Sequence, residues 1–342
     1  MSSLYLTTVL DAGARYGMHP NWSGFCGDLK YLAFEPDAEE AQRLRQSNPA
    51  SSFEVMEAAL YNQAGTYDFN LLVHRGMSSM LKPDLNSEAF KDLKPGLGEI
   101  EKVIQIETQT IDYFAEQNNW AVDFLKVDTE GTEHEVIEGA DKTIDASVLG
   151  IRSSMNFNPA FHDQILFSAT HDYLINKGFM LLNIDYFGYG YPKLGLFKKP
   201  DPSLPEQGRY GVLTSCDAVW IRREAEIKKR FTDEKALESA TLKLASFCLH
   251  NNAPDVGIDL LNAYIKENSE WHFTETKNSK LYKSLRLDFL KYLGRWRTVP
   301  DETWSHAQEI YQNIFSEHLD GGSGFYPKLQ AMSSELNSEA AH

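Results

Sequence analysis

Short apolar runs separated by amphipathic stretches set the rhythm of the first two thirds of the chain. The runs "TTVL", "YLAF", "SFEVM", "VDFLKV", "VLGI", "GFMLLNI" and "DAVWI" have strand length. Between them lie stretches with helical spacing such as "DAEEAQRLRQ" and "TEHEVIEGADKTI", the second placing Val136, Ile137, Ala140 and Ile144 on one face. This alternation predicts an α/β fold, a parallel sheet covered by helices, up to about residue 222. Two stretches break it. Residues 82–101 are polar and punctuated by Pro and Gly, and residues 186–211 form a long aromatic and proline-rich excursion before the last strand. Loops of that length in a compact domain are more often functional or mobile than idle.

Past residue 225 the strand signals stop. Leu237, Leu244, Ala245 and Cys248 share one helical face, and Ile258, Leu261 and Ile265 share another that follows Pro254, a residue suited to a first helical turn. Leu281, Leu285 and Phe289, then Trp304, Ala307, Tyr311 and Ile314, continue the pattern. The expectation is a bundle of about four helices, without repeated signature residues. From "GGSG" onward the chain is polar, a tail expected to be loose. The predicted divisions are 1–224, 225–320 and 321–342.

Charge narrows the partners. Thirty-three basic against forty-nine acidic side chains leave −16, which repels nucleic acid and anionic membrane surfaces. No run approaches the roughly 18 apolar residues of a membrane span, and the first residues lack a basic start, so a soluble cytoplasmic protein is expected. Cys26, Cys216 and Cys248 are scattered and odd in number, which fits a reducing compartment and core roles.

The chemistry gathers at strand ends. "LDAGARYG" carries the first strand into Gly13 and Gly17 but lacks the middle glycine of a dinucleotide fingerprint, which argues against a pyrophosphate cradle. Asp11 there suits a ligand with an ammonium or sulfonium charge. Glu35, in "AFEP" about 20 residues on, stands where an acid can accept both hydroxyls of a ribose. The pair suggests an adenosine with a cationic tail. In "FLKVDTEGTEHEVIEGA", alternation puts Lys126, Asp128 and Glu130 on one side if the strand persists that far. Against a functional cluster stands an ion pair of Lys126 with Glu130 or Glu133 that fixes the strand-to-helix turn, and, more remotely, a divalent metal on Asp128, Glu130 and His134.

"VLDAGARYG", "FEP", "AALYNQAGTYDF" with "GMSSML", and "IDYFAEQNNWAVDFLKVDTEGTEHEVIEGA" resemble, in order and spacing, the FkbM-type family of S-adenosylmethionine-dependent methyltransferases, with "GFMLLNIDY" and "DAVWIRR" similar to its closing strands. The resemblance covers roughly residues 8–222, and the Lys, Asp and Glu-Gly motif is its most specific part. It implies a doubly wound seven-stranded, mostly parallel Rossmann-like sheet whose last strand is antiparallel, and methyl transfer to an oxygen, commonly of a sugar or natural product. Arg15 stands where the family usually has asparagine, and Arg152 near a place where an acid is common. The chain starts almost at its first strand, without the N-terminal cover of many relatives, so another segment is expected to close the site.

On that resemblance Asp11 and the backbone of Gly13, Ala14 and Gly17 take the methionine end of S-adenosylmethionine, Glu35 with Pro36 its ribose, and Glu57 and Ala58 the adenine edge. Asp128 is the first choice for the group between cofactor and acceptor, as base or as partner of the cofactor's ammonium, Glu130 the second, with Lys126 beside them. No metal is required. Ser79 and Ser78 match a family serine position toward cofactor or acceptor. Asn156, with Asn158 nearby, and His162, Tyr186 and Tyr189, with Phe187 and Tyr191, are candidates for acceptor contacts, against packing roles for the aromatics. The C-terminal helices are candidates for acceptor cover, homo-oligomer contact or docking. The competing readings are a binding or scaffold module that kept the fold, and a nicotinamide oxidoreductase.

Overall fold

The apolar runs pair into one seven-stranded sheet in the computed structural model, which describes residues 5–19, 21–22, 29–48, 52–91, 93–190, 211–268, 280–294 and 301–315. The sheet consists of β1 (Thr7–Ala12), β2 (Leu29–Phe34), β3 (Phe53–Met56), β7 (Phe124–Val127), β8 (Gly150–Asn156), β9 (Phe179–Gly190) and β10 (Val212–Arg222). Their order is β3-β2-β1-β7-β8-β10-β9. The pairs β2–β3, β1–β7 and β7–β8 are parallel, and β10 runs antiparallel to both β8 and β9. This is the doubly wound sheet with a reversed last strand. Open sheets of this kind bind ligands beyond the carboxyl ends of their strands, which here include the ends of β1, β2 and β7.

A second sheet was not announced by the apolar runs. β4 (Ala59–Leu60), β5 (Gly65–Leu72) and β6 (Ile100–Gln109) pair in the order β4-β6-β5. Most residues of β5 and β6 are exposed or half-buried, so these strands lack the continuous apolar run of a strand covered on both faces. The polar stretch 82–101 holds the short helix α2 (Glu88–Lys91) between them.

Among the described residues five more helices belong to this unit, α1 (Ala38–Ser47), α3 (Ile111–Asn118), α4 (Glu133–Glu138), α5 (Asp141–Ala146) and α6 (Phe167–Asn176). Asp37 caps α1 by accepting from the amides of Glu39 and Glu40. The helix expected over "TEHEVIEGADKTI" is two helices. Gly139 passes so close to Tyr61 that a Cβ there would collide with the Tyr61 carbonyl oxygen. Asp112 then caps α5 through the amides of Lys142 (3.0 Å) and Thr143 (2.8 Å). Val136, Ile137, Ala140 and Ile144 still share one face, buried with Leu10, Leu125, Val127 and Trp220; each Val, Leu or Ile side chain among them contributes roughly 1.5–3 kcal/mol by leaving water.

The chain divides into two units: this one, Thr8–Met18 with Lys30–Arg223, and a helical one made of Met1–Thr7, His19–Leu29 and Glu224–His342. The helical unit holds α7 (Glu224–Arg230), α8 (Glu234–His250), α9 (Pro254–Glu267), α10 (Lys280–Gly294) and α11 (Asp301–Phe315), five helices among the described residues rather than about four. Pro254 stands in the first turn of α9, as its fixed φ favours. α8 is central, with Leu242, Leu244, Ala245, Phe247 and Cys248 inaccessible to water. Trp22 packs on Phe247, and Phe289, Tyr311 and Phe315 stack further along. Among the described residues no helix is long and apolar enough to cross a membrane. Cys26, Tyr191, residues 192–210, the side chain of Trp304 and the tail from 316 lie outside the described residues.

Candidate functional site

The turn after β1 needs its glycines for the protein's own packing. Gly13 and Gly17 have φ of 81° and 82°, the left-handed region that a Cβ disfavours. A Cβ on Gly13 would collide with the backbone carbonyl of Asp128. The amides expected to face a ligand are already engaged. Gly13 and Ala14 both donate to the Phe34 carbonyl (3.1 and 3.0 Å), and Gly17 donates to Ala14 (2.8 Å).

Asp11 differs from expectation in the same way. Asp11 and Lys126 are cross-strand partners in β1 and β7, and the carboxylate is buried with its oxygens 3.0 Å from the Lys126 ammonium and 2.5 Å from the Tyr31 hydroxyl. It does not line the cavity described below; strand alternation turns it to the face opposite Leu10 and Ala12. Lys126 also donates to the Gly13 carbonyl (3.1 Å) and lies 3.4 Å from Asp128. Burial alone would lower the lysine, yet Asp11 and Asp128 outweigh it and hold the ammonium above the ordinary range. Burial pushes the Asp11 carboxyl up, against the pull of Lys126 and the Tyr31 hydrogen bond. The proposed Lys126 pair with Glu130 or Glu133 is thus replaced by a clamp that joins β1, β7 and the glycine turn.

In front of that clamp opens a cavity that is continuous with solvent at its mouth. Ala12, Gly13, Glu35, Pro36, Asp128 and Glu130 line one part of it, and Ala58, Ala59, Leu60, Phe69, Met80 and Ile106 form an apolar part beside them. Glu35 sits just past the end of β2, almost wholly buried, and accepts one hydrogen bond, from the Asp37 amide at 2.9 Å. Burial raises its carboxyl to about 7, outweighing that hydrogen bond and nearby Arg15.

The acids after β7 separate by role. The strand ends at Val127, so alternation does not reach Glu130, which adopts a left-handed φ of 57°. Glu133 fixes the turn from behind, accepting from the amides of Thr129 (2.9 Å) and Gly131 (3.0 Å). Glu130 faces the cavity and has no hydrogen-bond or ion-pair partner among the described residues. Its carboxyl is held well above the usual range by burial, then by the like charges of Asp128 and Glu133. His134 turns away, to Thr170 at 3.0 Å and Glu138 at 3.3 Å, and among the described residues no three His, Cys, Asp or Glu side chains converge as metal ligands would. A sequence profile of the methyltransferase FkbM domain matches residues 11–181, half of the chain and the whole of this cavity's lining. The chain belongs to the FkbM methyltransferase family.

A solved methyltransferase FkbM from Methylobacillus flagellatus KT is similar to it at 16% identity and a TM-score of 0.33, over 63% of this chain and 43% of that one. The chain therefore spans less than half the length of that protein. No curated protein matches significantly.

Of the residues expected to serve this FkbM domain, the cavity collects Gly13, Glu35, Pro36, Ala58, Ser78, Asp128 and Glu130. Ala14, Gly17 and Glu57 stay outside it, Glu57 at an exposed ion pair with Arg45. Ser79 is buried and accepts from the Leu81 amide, while Ser78 lines the cavity and accepts from the Leu72 amide. The acceptor candidates Asn156, His162, Tyr186 and Tyr189 do not line it. Asn156 accepts from Gln164, the His162 amide donates to the Lys82 carbonyl, Tyr186 is 77% exposed and Tyr189 lies against Phe187. Arg152 binds Asp185 (3.1 Å) and Asp217 (2.9 Å) across β8, β9 and β10. Tyr16, Arg75, Thr129 and Thr132 also line the cavity, although no motif of the sequence points to them, as does Arg15, which departs from the family's usual asparagine. Nothing in local spacing brings Arg75 there, because β5 and β6 carry it.

Proposed function

We propose that this FkbM domain transfers a methyl group from S-adenosylmethionine to a hydroxyl oxygen of a carbohydrate or natural-product acceptor. The carrying observation is Glu35. A buried carboxylate with a single backbone donor, at the end of the strand beside the glycine turn, has acceptor capacity left for the two hydroxyls of a ribose. The residues present therefore fit the nucleoside. Its flat base suits the apolar part formed by Ala58, Leu60, Phe69, Met80 and Ile106, and the Asp128 carboxylate, 3.4 Å from the Lys126 ammonium, suits the positive charge of its tail.

S-adenosylmethionine, when bound, supplies an electrophilic methyl group on a sulfonium. The protein's part is to align the acceptor oxygen and to receive its proton. Glu130 fits that second role better than Asp128. Among the described residues its carboxylate is paired with no cation, it lines the cavity from a backbone conformation that costs about 1 kcal/mol or more, and burial raises its carboxyl, which favours taking up a proton. Asp128 then acts as the fixed negative charge and Glu130 as the base. Lys126 holds Asp128 and the Gly13 carbonyl in place and is a positioning residue.

Calorimetry with S-adenosylhomocysteine, the demethylated product, tests this reading. The wild-type chain is expected to bind it and Glu35→Ala to weaken binding about ten-fold or more. Unchanged affinity in that variant removes Glu35 from the site and the reading with it.

A further inference from the structure

The two arginines of the cavity come from separate parts of the chain. Arg15 follows the glycine turn, and Arg75 opens the 3-10 turn Arg75–Met77 after β5. The turns touch through the next residues, since Gly76 lies so close to the Tyr16 hydroxyl that a Cβ on it would collide. Arg15 and Arg75 are the lysine or arginine side chains that line the cavity among the described residues. Arg15 keeps one guanidinium nitrogen on Asp37 at 3.2 Å, and Arg75 keeps Nη2 on Glu101 at 2.7 Å. Nη1 of Arg75 is shielded from solvent and has no hydrogen-bond partner. A shielded guanidinium nitrogen without an acceptor is costly to maintain unless a ligand completes it.

We propose that Arg15 and Arg75 form an oxyanion site at the rim of the nucleoside cavity, taking a carboxylate or similar group of the bound ligand. The inference rests on the nucleoside reading above and adds a charge pattern to it. Asp128 and Glu130 repel an anion and attract a cation, whereas the two arginines do the reverse. A ligand bearing both charges is oriented by the pair. Two sources offer such a group, the amino-acid tail of the cofactor and an anionic acceptor. A guanidinium suits either through paired N–H donors.

Calorimetry on the full chain separates the outcomes, with 5′-methylthioadenosine, which lacks the amino-acid tail, beside S-adenosylhomocysteine. If the rim holds the tail, Arg75→Gln weakens S-adenosylhomocysteine about ten-fold or more and leaves methylthioadenosine within about two-fold, Arg75→Lys falls between, and Arg15→Gln acts in the same direction. Inorganic phosphate then binds the methylthioadenosine complex but not the S-adenosylhomocysteine complex. If the rim serves the acceptor, phosphate binds both complexes and loses both in Arg75→Gln, with the two nucleosides unaffected. The inference is overturned if both nucleosides bind Arg75→Gln as they bind wild type and phosphate shows no dependence on either arginine. Failure of methylthioadenosine to bind wild type removes the nucleoside reading itself, and the rim site with it. Unchanged melting temperatures certify that the variants are folded.

Discussion

The ammonium of Lys126 lies 3.0 Å from a carboxylate oxygen of Asp11, at directly paired positions of two parallel strands, with Asp11 wholly buried. An ion pair this deep gains its worth from being complete. Lys126→Met leaves Asp11 buried with only Tyr31 for company and is expected to cost about 3–5 kcal/mol, whereas adding Asp11→Leu should recover most of that loss. Urea denaturation of the two variants checks both halves. Single and double variants of equal stability would show that the pair holds nothing.

Gly13 marks the second constraint on the same turn. Gly13→Ala combines a φ of 81° with a collision against the Asp128 carbonyl. The expected loss is about 2–4 kcal/mol, with a parallel loss of nucleoside affinity, because the collision displaces Asp128 itself. A thermal melt and one titration measure the two together.

Glu130 and Asp128 should part company in kinetics. Glu130→Gln is expected to lower turnover about 100-fold or more while leaving S-adenosylhomocysteine affinity within about three-fold. Asp128→Asn is expected to weaken the nucleoside as well. In the wild type the rate should rise with pH as Glu130 sheds its proton, since its carboxyl sits above the normal range. A flat wild-type profile, or a similar profile in Glu130→Gln, would take the base role away from it.

Glu35 couples ligand binding to protons. Its folded value near 7 exceeds the ordinary 4.5, so between those pH values the folded protein holds a proton that the unfolded chain has released. Its contribution to stability therefore falls as pH rises from about 4.5 to about 7, and Glu35→Gln should flatten that slope in a series of urea midpoints. Hydroxyl donors from a ribose favour the carboxylate, so binding should expel a proton near pH 6–7 and tighten toward pH 7. Calorimetry in buffers of different ionisation enthalpy reads that proton directly.

Much of this site was legible before any tertiary contact was known. "FEP" placed Glu35 at a strand end, and the Lys, Asp and Glu-Gly motif brought Asp128 and Glu130 to the mouth of the next, because a strand's end and a glycine turn are local features. The facing of Asp11 was not legible. A residue one step from the end of a strand points to one side or the other of the sheet, and only the position of Lys126 on the paired strand shows that this side is closed. Arg75 and the apolar part around Phe69 and Ile106 were missed for a related reason. β5 and β6 are too exposed to leave an apolar run, so the second sheet that carries them to the cavity has almost no trace in periodicity.

The chain's own pattern determined an α/β sheet, a helical second part and a ring of acids at strand ends, since these follow from spacing along a few residues. Tertiary structure alone decided which acids line the cavity and which lie buried against a lysine, and which arginines reach the cavity. Those outcomes depend on strand register and on contacts between segments some sixty residues apart, such as Tyr16 against Gly76, and side-chain alternation carries no information about a partner that distant.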